Sequence, residues 1–582
     1  MKRNIILLLV FLGTTTLLSA RERTTNQLIQ AALQVMNNQM PERQKARKAK
    51  GKAITPEVLQ RYDEVSIVGY ADGGYVVVSN DDRFTPVMGY SDTMFCSDET
   101  ANPGFHWWLR AMNASLQQMA ENGEEPVSIA PLPMYSSSVD MLLTTKWNQD
   151  APYNNQTPEY LDTIANIKRH YVTGCVATSM AQVMNYHKYP TTGKGSKSYF
   201  FTPEGGGTRI RANANFGKTT YDYANMLDQY TYADRTKTVP NFTEDQAKAV
   251  STLMYHCGVS VKMSYTKSGS GAYTADACVA LREHFLYDEN IKLFTRDFYP
   301  VEEWMQIVYG ELNDGCPIIY GGVDRQGGHS FVIDGYDEKG RVNVNWGWGG
   351  SNDGFYDIAS LRGYNSGQDM IIVRRPDDAR FNGTNYSIWG MGEDLAVQKS
   401  GKNINVSAVI YNFDVDNFTG VYAVLAENLA TGEVTELYKS EQLQNVEHRN
   451  GRRIELTGID VSVLPEGDYR IYLGTKKTGE AEWRAVRSHE DINNSYLLHR
   501  TGSTFTLEAE NNSNWTATPT GIKGIYENGN AQPSSNLPSL GEGSGVGSSS
   551  LYDLQGRPVK GNGSARQIYI VREGNKVRKI VR

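Results

Sequence analysis

The sequence is poor in cysteine. Five Cys in 582 residues cannot frame a disulfide-stapled protein, and the count is odd, so at least one thiol stays free or pairs outside the chain. It also lacks an excess of charge of one sign. With 58 Lys and Arg against 65 Asp and Glu, the net charge is −7, which leaves no basic footprint for nucleic acid. Proline is scarce at 20, and the 55 Gly follow no three-residue period, which excludes a collagen-like chain. No Cys or His pair has zinc spacing and no phosphate loop is present, so neither metal nor cofactor is expected. Beyond residue 20 no stretch approaches the roughly 18 consecutive apolar residues that span a bilayer. What is present is 40% apolar residues and 35 Tyr, a β-rich texture with material for several cores. At about 150 residues per domain, the length suggests three or four domains.

The first twenty residues set the compartment. Lys2 and Arg3 precede the apolar run Ile5 to Leu12, and Leu18-Ser19-Ala20 offers a small-residue cleavage site. This is the pattern of a secretory signal peptide, so a secreted or cell-surface protein is expected.

Residues 25–40 place Leu28, Ala32, Val35 and Met36 on one helical face. The basic stretch Arg43 to Lys52 that follows reads as a solvated linker rather than a membrane or partner patch. Val65 to Tyr70 and Tyr75 to Ser79 flank Asp72-Gly73-Gly74, a hairpin pattern. Phe84 to Tyr90 adds a strand and Trp107 to Met119 a helix, so residues 21–139 read as a small α+β domain. Residues 140–378 hold four of the five Cys and four Trp, and are the place to look for chemistry. Residues 384–515 alternate short strands and turns, as in Ile404 to Tyr411 and Asp468 to Leu473, and predict a β-sandwich. Residues 531–550 contain 13 Gly, Ser or Pro and read as a flexible linker to a small β unit at 551–582.

Cys175 stands out among the thiols. It follows Gly174 and opens a run with helical apolar spacing at Val176, Met180, Val183 and Met184. A Cys at a helix start meets the positive end of the dipole, which favours thiolate, and its own N–H is free for an oxyanion. Cys257, Cys278 and Cys316 sit in ordinary core contexts. A thiolate nucleophile needs a base. His329, in Gly327-Gly328-His329-Ser330-Phe331-Val332-Ile333-Asp334-Gly335, enters a buried strand behind two glycines. His170 is the alternative, in a polar stretch that reads as loop or exposed helix, while His187 and His256 read as core or surface positions. Val342-Asn343-Val344-Asn345-Trp346-Gly347-Trp348 follows: an Asn amide can orient the imidazole, and an indole can shield it from water. Gln149, in Trp147-Asn148-Gln149, offers a second oxyanion donor. The loop Ser268 to Tyr273 reads as an ordinary mobile loop rather than a border of the cleft.

These residues carry a resemblance. Gly174-Cys175-Val176-Ala177-Thr178, the Gly327–Gly335 motif and Val344-Asn345-Trp346-Gly347-Trp348-Gly349-Gly350 resemble, in the same order, the streptopain family of papain-clan cysteine peptidases. The resemblance implies a two-subdomain α+β peptidase with Cys175 as nucleophile and His329 as general base. Asn345 matches the position of the family's supporting Asn, and Trp346 follows it directly, so either supports the imidazole. Gln149 would complete the oxyanion hole. The 21–139 segment resembles the family's inhibitory pro-domain, an intramolecular partner. The 551–582 tail is similar to those that direct cargo through the type IX secretion route of Bacteroidetes-like bacteria, which implies secretion machinery as a partner. Substrates would be proteins or peptides. Two other readings are a surface adhesin with an inactive papain-like domain and a Cys-His acyltransferase.

Overall fold

The computed structural model describes residues 22–124, 126, 129–234, 238–289, 291–323, 327–361, 367–378, 388–441, 444–488, 492–510, 550–552, 568–573 and 576–581. The expected leader at 1–20, nearly all of the 531–550 linker and residues 553–567 of the tail lie outside them. The chain divides into two compact units. One holds residues through Phe95 with Leu116–Pro126, the other Cys96–Ser115 with everything from Val127 onward.

In the first unit, helix α1 (Thr25–Gln39) is fixed at its start by a capping box between Thr24 and Gln27, and it buries Leu28, Ala32, Val35 and Met36. These are the four positions that the helical period selects. Helix α2 (Pro41–Ala49) follows. Strands β1 (Glu57–Arg61), β2 (Val65–Gly69), β3 (Tyr75–Ser79) and β4 (Val87–Ser91) form an antiparallel meander. The hairpin closes tightly at Gly69, where a Cβ would lie 2.4 Å from the Gly74 carbonyl. The basic stretch is solvated only in part. Arg47 and Lys52 both pair with Asp72, Arg43 reaches Asp92 at 3.3 Å, and the Arg47 guanidinium lies 3.6 Å from the Tyr70 ring centroid. Hydrogen bonds from Lys52 and Arg47 hold the Asp72 carboxyl down at about 2. Arg47 and Lys52 are thus tied to the hairpin turn, while Lys45, Lys48 and Lys50 stay exposed as the solvated reading expects.

Helix α3 (Pro103–Asn122) starts four residues before the expected Trp107, and the division between the units falls inside it. Asn102 caps it, its Oδ1 accepting from Phe105 N at 3.0 Å, and Pro103 takes the first position, where its missing N–H costs nothing.

The second unit continues with the hairpin β5 (Glu159–Asp162) and β6 (Ile167–His170), helix α4 (Cys175–His187), and the hairpin β7 (Lys197–Phe201) and β8 (Ile210–Ala214). Then come α5 (Glu244–Ser260), α6 (Thr274–Glu283), β9 (Leu293–Thr295) and α7 (Val301–Asn313). Strands β10 (Ile318–Val323), β11 (Gly328–Tyr336), β12 (Val342–Asn345), β13 (Gly354–Tyr356) and β14 (Asp369–Ile372) complete it. The antiparallel order is β13-β12-β11-β10-β14-β9. Helix α4 lies against β11 and α5. Its apolar residues Val176, Met180, Val183 and Met184 share one core with Ile319, Val332 and Ile371 of the sheet. Burying each such large aliphatic side chain contributes about 1.5–3 kcal/mol, so this interface fixes the helix on the strand.

C-terminal to this lies a β-sandwich. Strands Asn403–Asn412 and Gly451–Asp460 belong to one sheet, and Phe418–Asn428, Gly467–Lys477 and Ser495–Thr501 to the other. Ile404, Val406, Ala408 and Ile410 alternate inward to meet Val424, Ala426, Ile471 and Leu473. The sandwich is fastened to the peptidase part. Arg487 grips Glu303 of α7 through contacts of 2.9 and 3.3 Å with both side chains buried, and Trp389 stacks on Phe298 at 4.3 Å. Strands Ser550–Tyr552, Ile568–Glu573 and Lys576–Val581 form a separate three-stranded sheet. The architecture is α+β throughout, with a β-rich C-terminal part.

Candidate active site

Helix α4 begins at Cys175 because Gly174 alone fits before it. Gly174 has φ +88°, and a Cβ there would fall 2.7 Å from Met263 Sδ and 2.8 Å from the Ser270 carbonyl. No side chain caps the helix, so its first N–H groups stay available. The backbone N–H groups of Ser330, Val176 and Cys175 lie near the thiol and favour its thiolate form. The expectation of a lowered thiol pKa is not met. Desolvation outweighs the three N–H groups and pushes the thiol above its ordinary value.

Ser179 Oγ of α4 lies 2.8 Å from Ser330 Oγ of β11, and His329 is the residue preceding Ser330. Nε2 of His329 lies 2.9 Å from the Trp346 carbonyl, and the Trp348 indole nitrogen lies 3.3 Å from it. The carbonyl only accepts and the indole N–H only donates, so Nε2 can satisfy one of them; with the proton on Nε2 the shorter contact, to the Trp346 carbonyl, is the hydrogen bond and Nδ1 keeps its lone pair. No described residue hydrogen-bonds Nδ1, and no hydrogen bond joins the imidazole to Cys175. Burial lowers the His329 pKa to about 4, partly offset by the carbonyl. Burial thus disfavours both charged forms, the thiolate and the imidazolium.

Asn345 and Trp346 divide the supporting work. Asn345 Nδ2 donates to the Thr145 carbonyl at 2.7 Å, and its Oδ1 accepts from Gln182 and from Gly347 N. Its amide does not touch the imidazole. Trp346 supplies the carbonyl that does, while its indole N–H donates to the Asn352 carbonyl at 2.9 Å. Gln149 is buried, its backbone carbonyl accepts from Thr173 N at 3.1 Å, and its Nε2 has no hydrogen-bond partner among the described residues. A buried amide donor left without a partner, on a residue bonded to Thr173 two positions before Cys175, is a costly arrangement. The 268–273 loop does border the nucleophile. Ser270 Oγ donates to the Val172 carbonyl at 2.7 Å, and its own carbonyl abuts Gly174. His170 ends strand β6 and contacts the Thr157 carbonyl through Nδ1, neither loop nor helix. No disulfide joins any of the five cysteines. Among the described residues no cluster of His, Cys, Asp or Glu is suited to a metal, and no helix is long and apolar enough to cross a membrane.

The start of α3 sits on this constellation. A Cβ on Gly104 would fall 2.0 Å from Cδ2 of His329, and Trp107 fills the space above Gly322, the residue opposite His329 in the sheet. Asn102 Nδ2 donates to the Ser351 carbonyl at 2.6 Å, and Phe105 meets Trp346 edge-on. Sequence reasoning missed Gly104 and Gln182. The Asn102-Pro103 cap signal could have revealed the helix start that places Gly104.

With this geometry in view, comparisons with known proteins are informative. Residues 147–356 match the profile of the Peptidase C10 family, and residues 20–116 match that of Spi protease inhibitor. Streptopain of Streptococcus pyogenes is 32% identical over 337 residues, 53% of this chain and 80% of its own length. The chain belongs to the Peptidase C10 family. It is a cysteine peptidase of that family carrying a protease-inhibitor-like pro-domain. The C10 member named thiol protease/hemagglutinin PrtT, from Porphyromonas gingivalis, is 28% identical over 52% of this chain and 36% of its own. A solved prointerpain A fragment from Prevotella intermedia is 39% identical, covering 55% of this chain and 97% of its own, with a TM-score of 0.49.

A methyl group at Gly104 has no room beside His329. Gly104→Ala is expected to weaken the seat of α3 by about 1–3 kcal/mol, the usual cost of overpacking, and so to speed conversion of the latent form about 5- to 150-fold. Comparing the self-processing half-lives of the two zymogens checks this; equal half-lives would show that α3 does not gate the site.

Proposed function

We propose that this C10 peptidase is exported, held latent by its N-terminal segment, and cleaves protein substrates through Cys175 and His329. The observation that carries the reading is that the helix Cys175 opens is pinned to the His329 strand, Ser179 Oγ lying 2.8 Å from Ser330 Oγ, while the Trp346 carbonyl holds His329 Nε2 at 2.9 Å. That leaves Nδ1 as the proton acceptor. The Cys175 thiol proton passes to Nδ1 as sulfur bonds to the scissile carbonyl carbon. The carbonyl oxygen becomes an oxyanion, received by the Cys175 N–H and Gln149 Nε2. The imidazolium then protonates the leaving amine, the C–N bond breaks, and a thioester remains. Water, deprotonated by Nδ1, attacks the thioester; the C–S bond breaks and the thiol regains its proton. The apolar run Ile5 to Leu12 supports export. The 551–582 tail would engage the secretion machinery, and maturation would cut within 120–145.

Incubating the full-length protein with denatured casein under reducing conditions, beside Cys175→Ala, tests the reading. Wild type should shorten itself and digest casein, and the variant should do neither. Casein left intact by the wild type would refute the peptidase role, and product that depends on an added amine would point to acyl transfer.

Latency should also respond to acid, with a sign that follows from His329. In the closed state its pKa is about 4, whereas an exposed imidazole titrates near 6.5. The closed form thus binds fewer protons, and its advantage falls as pH drops from about 6.5 toward 4, by up to about tenfold per pH unit. Opening is read on Cys175→Ala, as cutting within 120–145 by an added protease, because protonated His329 cannot serve as the base for self-processing; this conversion is expected to accelerate from pH 7 to pH 5. His187 and His256, also held at about 4 by burial, titrate with the same sign, so the melting temperature should be followed in parallel. A conversion rate that is flat or falls with acid would contradict this.

A further inference from the structure

We propose that Gln182 is a positioning residue that sets where His329 is held relative to Cys175. It lies seven residues beyond Cys175, two turns along the same helix face, and is fully buried. Its Oε1 accepts from Thr145 Oγ1 at 2.9 Å and from Trp147 N at 3.4 Å, and its Nε2 donates to Asn345 Oδ1 at 3.0 Å. Asn345 closes the circuit by donating to the Thr145 carbonyl and accepting from Gly347 N. The polarity is fixed throughout. The Trp147 and Gly347 N–H groups can only donate and the Thr145 carbonyl can only accept, so neither amide can turn over without breaking two bonds.

The circuit joins three segments that each carry one part of the chemistry. Helix α4 brings Cys175, the 145–149 segment brings Gln149, and the turn after β12 brings the Trp346 carbonyl that holds His329 Nε2. Gln182 is the side chain that touches all three, and it touches no reacting atom. Its work is to fix the height of the turn over the helix, and so the approach of the imidazole to the thiol. Displacements of about 1 Å in such an arrangement cost up to about 100-fold in rate.

This inference rests on the Cys175–His329 reading proposed above, and the test separates the two. The protein left after self-processing of the full chain is assayed on a peptide substrate, with kcat expressed per Cys175 alkylated by iodoacetamide as counted on its own tryptic peptide by mass spectrometry. Gln182→Met, of similar length, is expected to lower kcat about 10- to 100-fold with KM within about twofold of wild type. Gln182→Glu gives a signature that a structural role would not. Protonated, the introduced carboxyl can still donate to Asn345 Oδ1; ionised, it opposes that oxygen. Its kcat should therefore fall with rising pH along a limb that neither wild type nor Gln182→Met shows. Thr145→Val, which removes one hydrogen bond to the same amide, serves if Gln182→Met does not accumulate, with a smaller loss in kcat and unchanged KM. Wild-type kcat per titrated site and a wild-type pH profile, with only a lowered melting temperature, would overturn the positioning role. Activity retained by Cys175→Ala would instead overturn the dyad itself.

Discussion

Replacing His329 with alanine is expected to lower kcat on a peptide substrate by about 10²- to 10⁴-fold, the range supplied by general acid–base catalysis, with the fold retained. The size of the effect follows from the state of the thiol. Desolvation holds Cys175 above its ordinary pKa despite three N–H contacts, so the helix start alone does not generate a nucleophile. The proton must be taken by a neighbour, and Nδ1 of His329 is the lone pair that the Trp346 carbonyl leaves available. The measurement is kcat with circular dichroism as the control for folding. A natively folded His329→Ala protein that keeps more than a tenth of wild-type kcat would remove the imidazole from the mechanism.

The second large effect concerns stability. Arg487 of the sandwich and Glu303 of α7 form a bidentate pair with both side chains almost wholly excluded from solvent. Removing one partner strands the other charge in the interior, so Arg487→Ala is expected to destabilise the protein by about 3–5 kcal/mol. Removing both should be milder. The double variant Arg487→Met with Glu303→Leu replaces the pair with apolar groups of similar volume, and such replacements are often close to neutral. Urea denaturation of the full chain distinguishes the cases. Equal midpoints for wild type and Arg487→Ala would show that the pair does not fasten the sandwich.

Local patterns carried well from sequence to structure. Leu28, Ala32, Val35 and Met36 form the buried stripe of α1, and Asp72 to Gly74 closes a hairpin, because both depend on residues a few positions apart. The alternation of Ile404, Val406, Ala408 and Ile410 marks the inner face of the sandwich for the same reason. Gly174 before Cys175 signalled a helix start. What escaped depends on contacts remote in sequence. Gln182 reads as one polar residue in a helix until Asn345, 163 positions on, is seen against it. Gly104 looks like a helix breaker until His329 is found 225 positions later, filling the place its Cβ would take. The thiol's pKa was misjudged because the dipole is a local property while desolvation belongs to the assembled site. Part of the basic stretch was misjudged because its partners Asp72 and Asp92 lie on other elements.

The turn after β12 has a consequence for how latency ends. Gly347, Gly349 and Gly350 all take left-handed backbone, at φ +73°, +67° and +86°, and a Cβ on each would press against Thr178, Asn148 and Lys146 respectively. The turn is thus already shaped against α4 and the 145–149 segment while α3 still covers it. Little conformational entropy remains to be lost there when a substrate arrives. On the proposed activation, removal of the covering helix would uncover a turn whose backbone is already set, so that binding substrate there would need no ordering step.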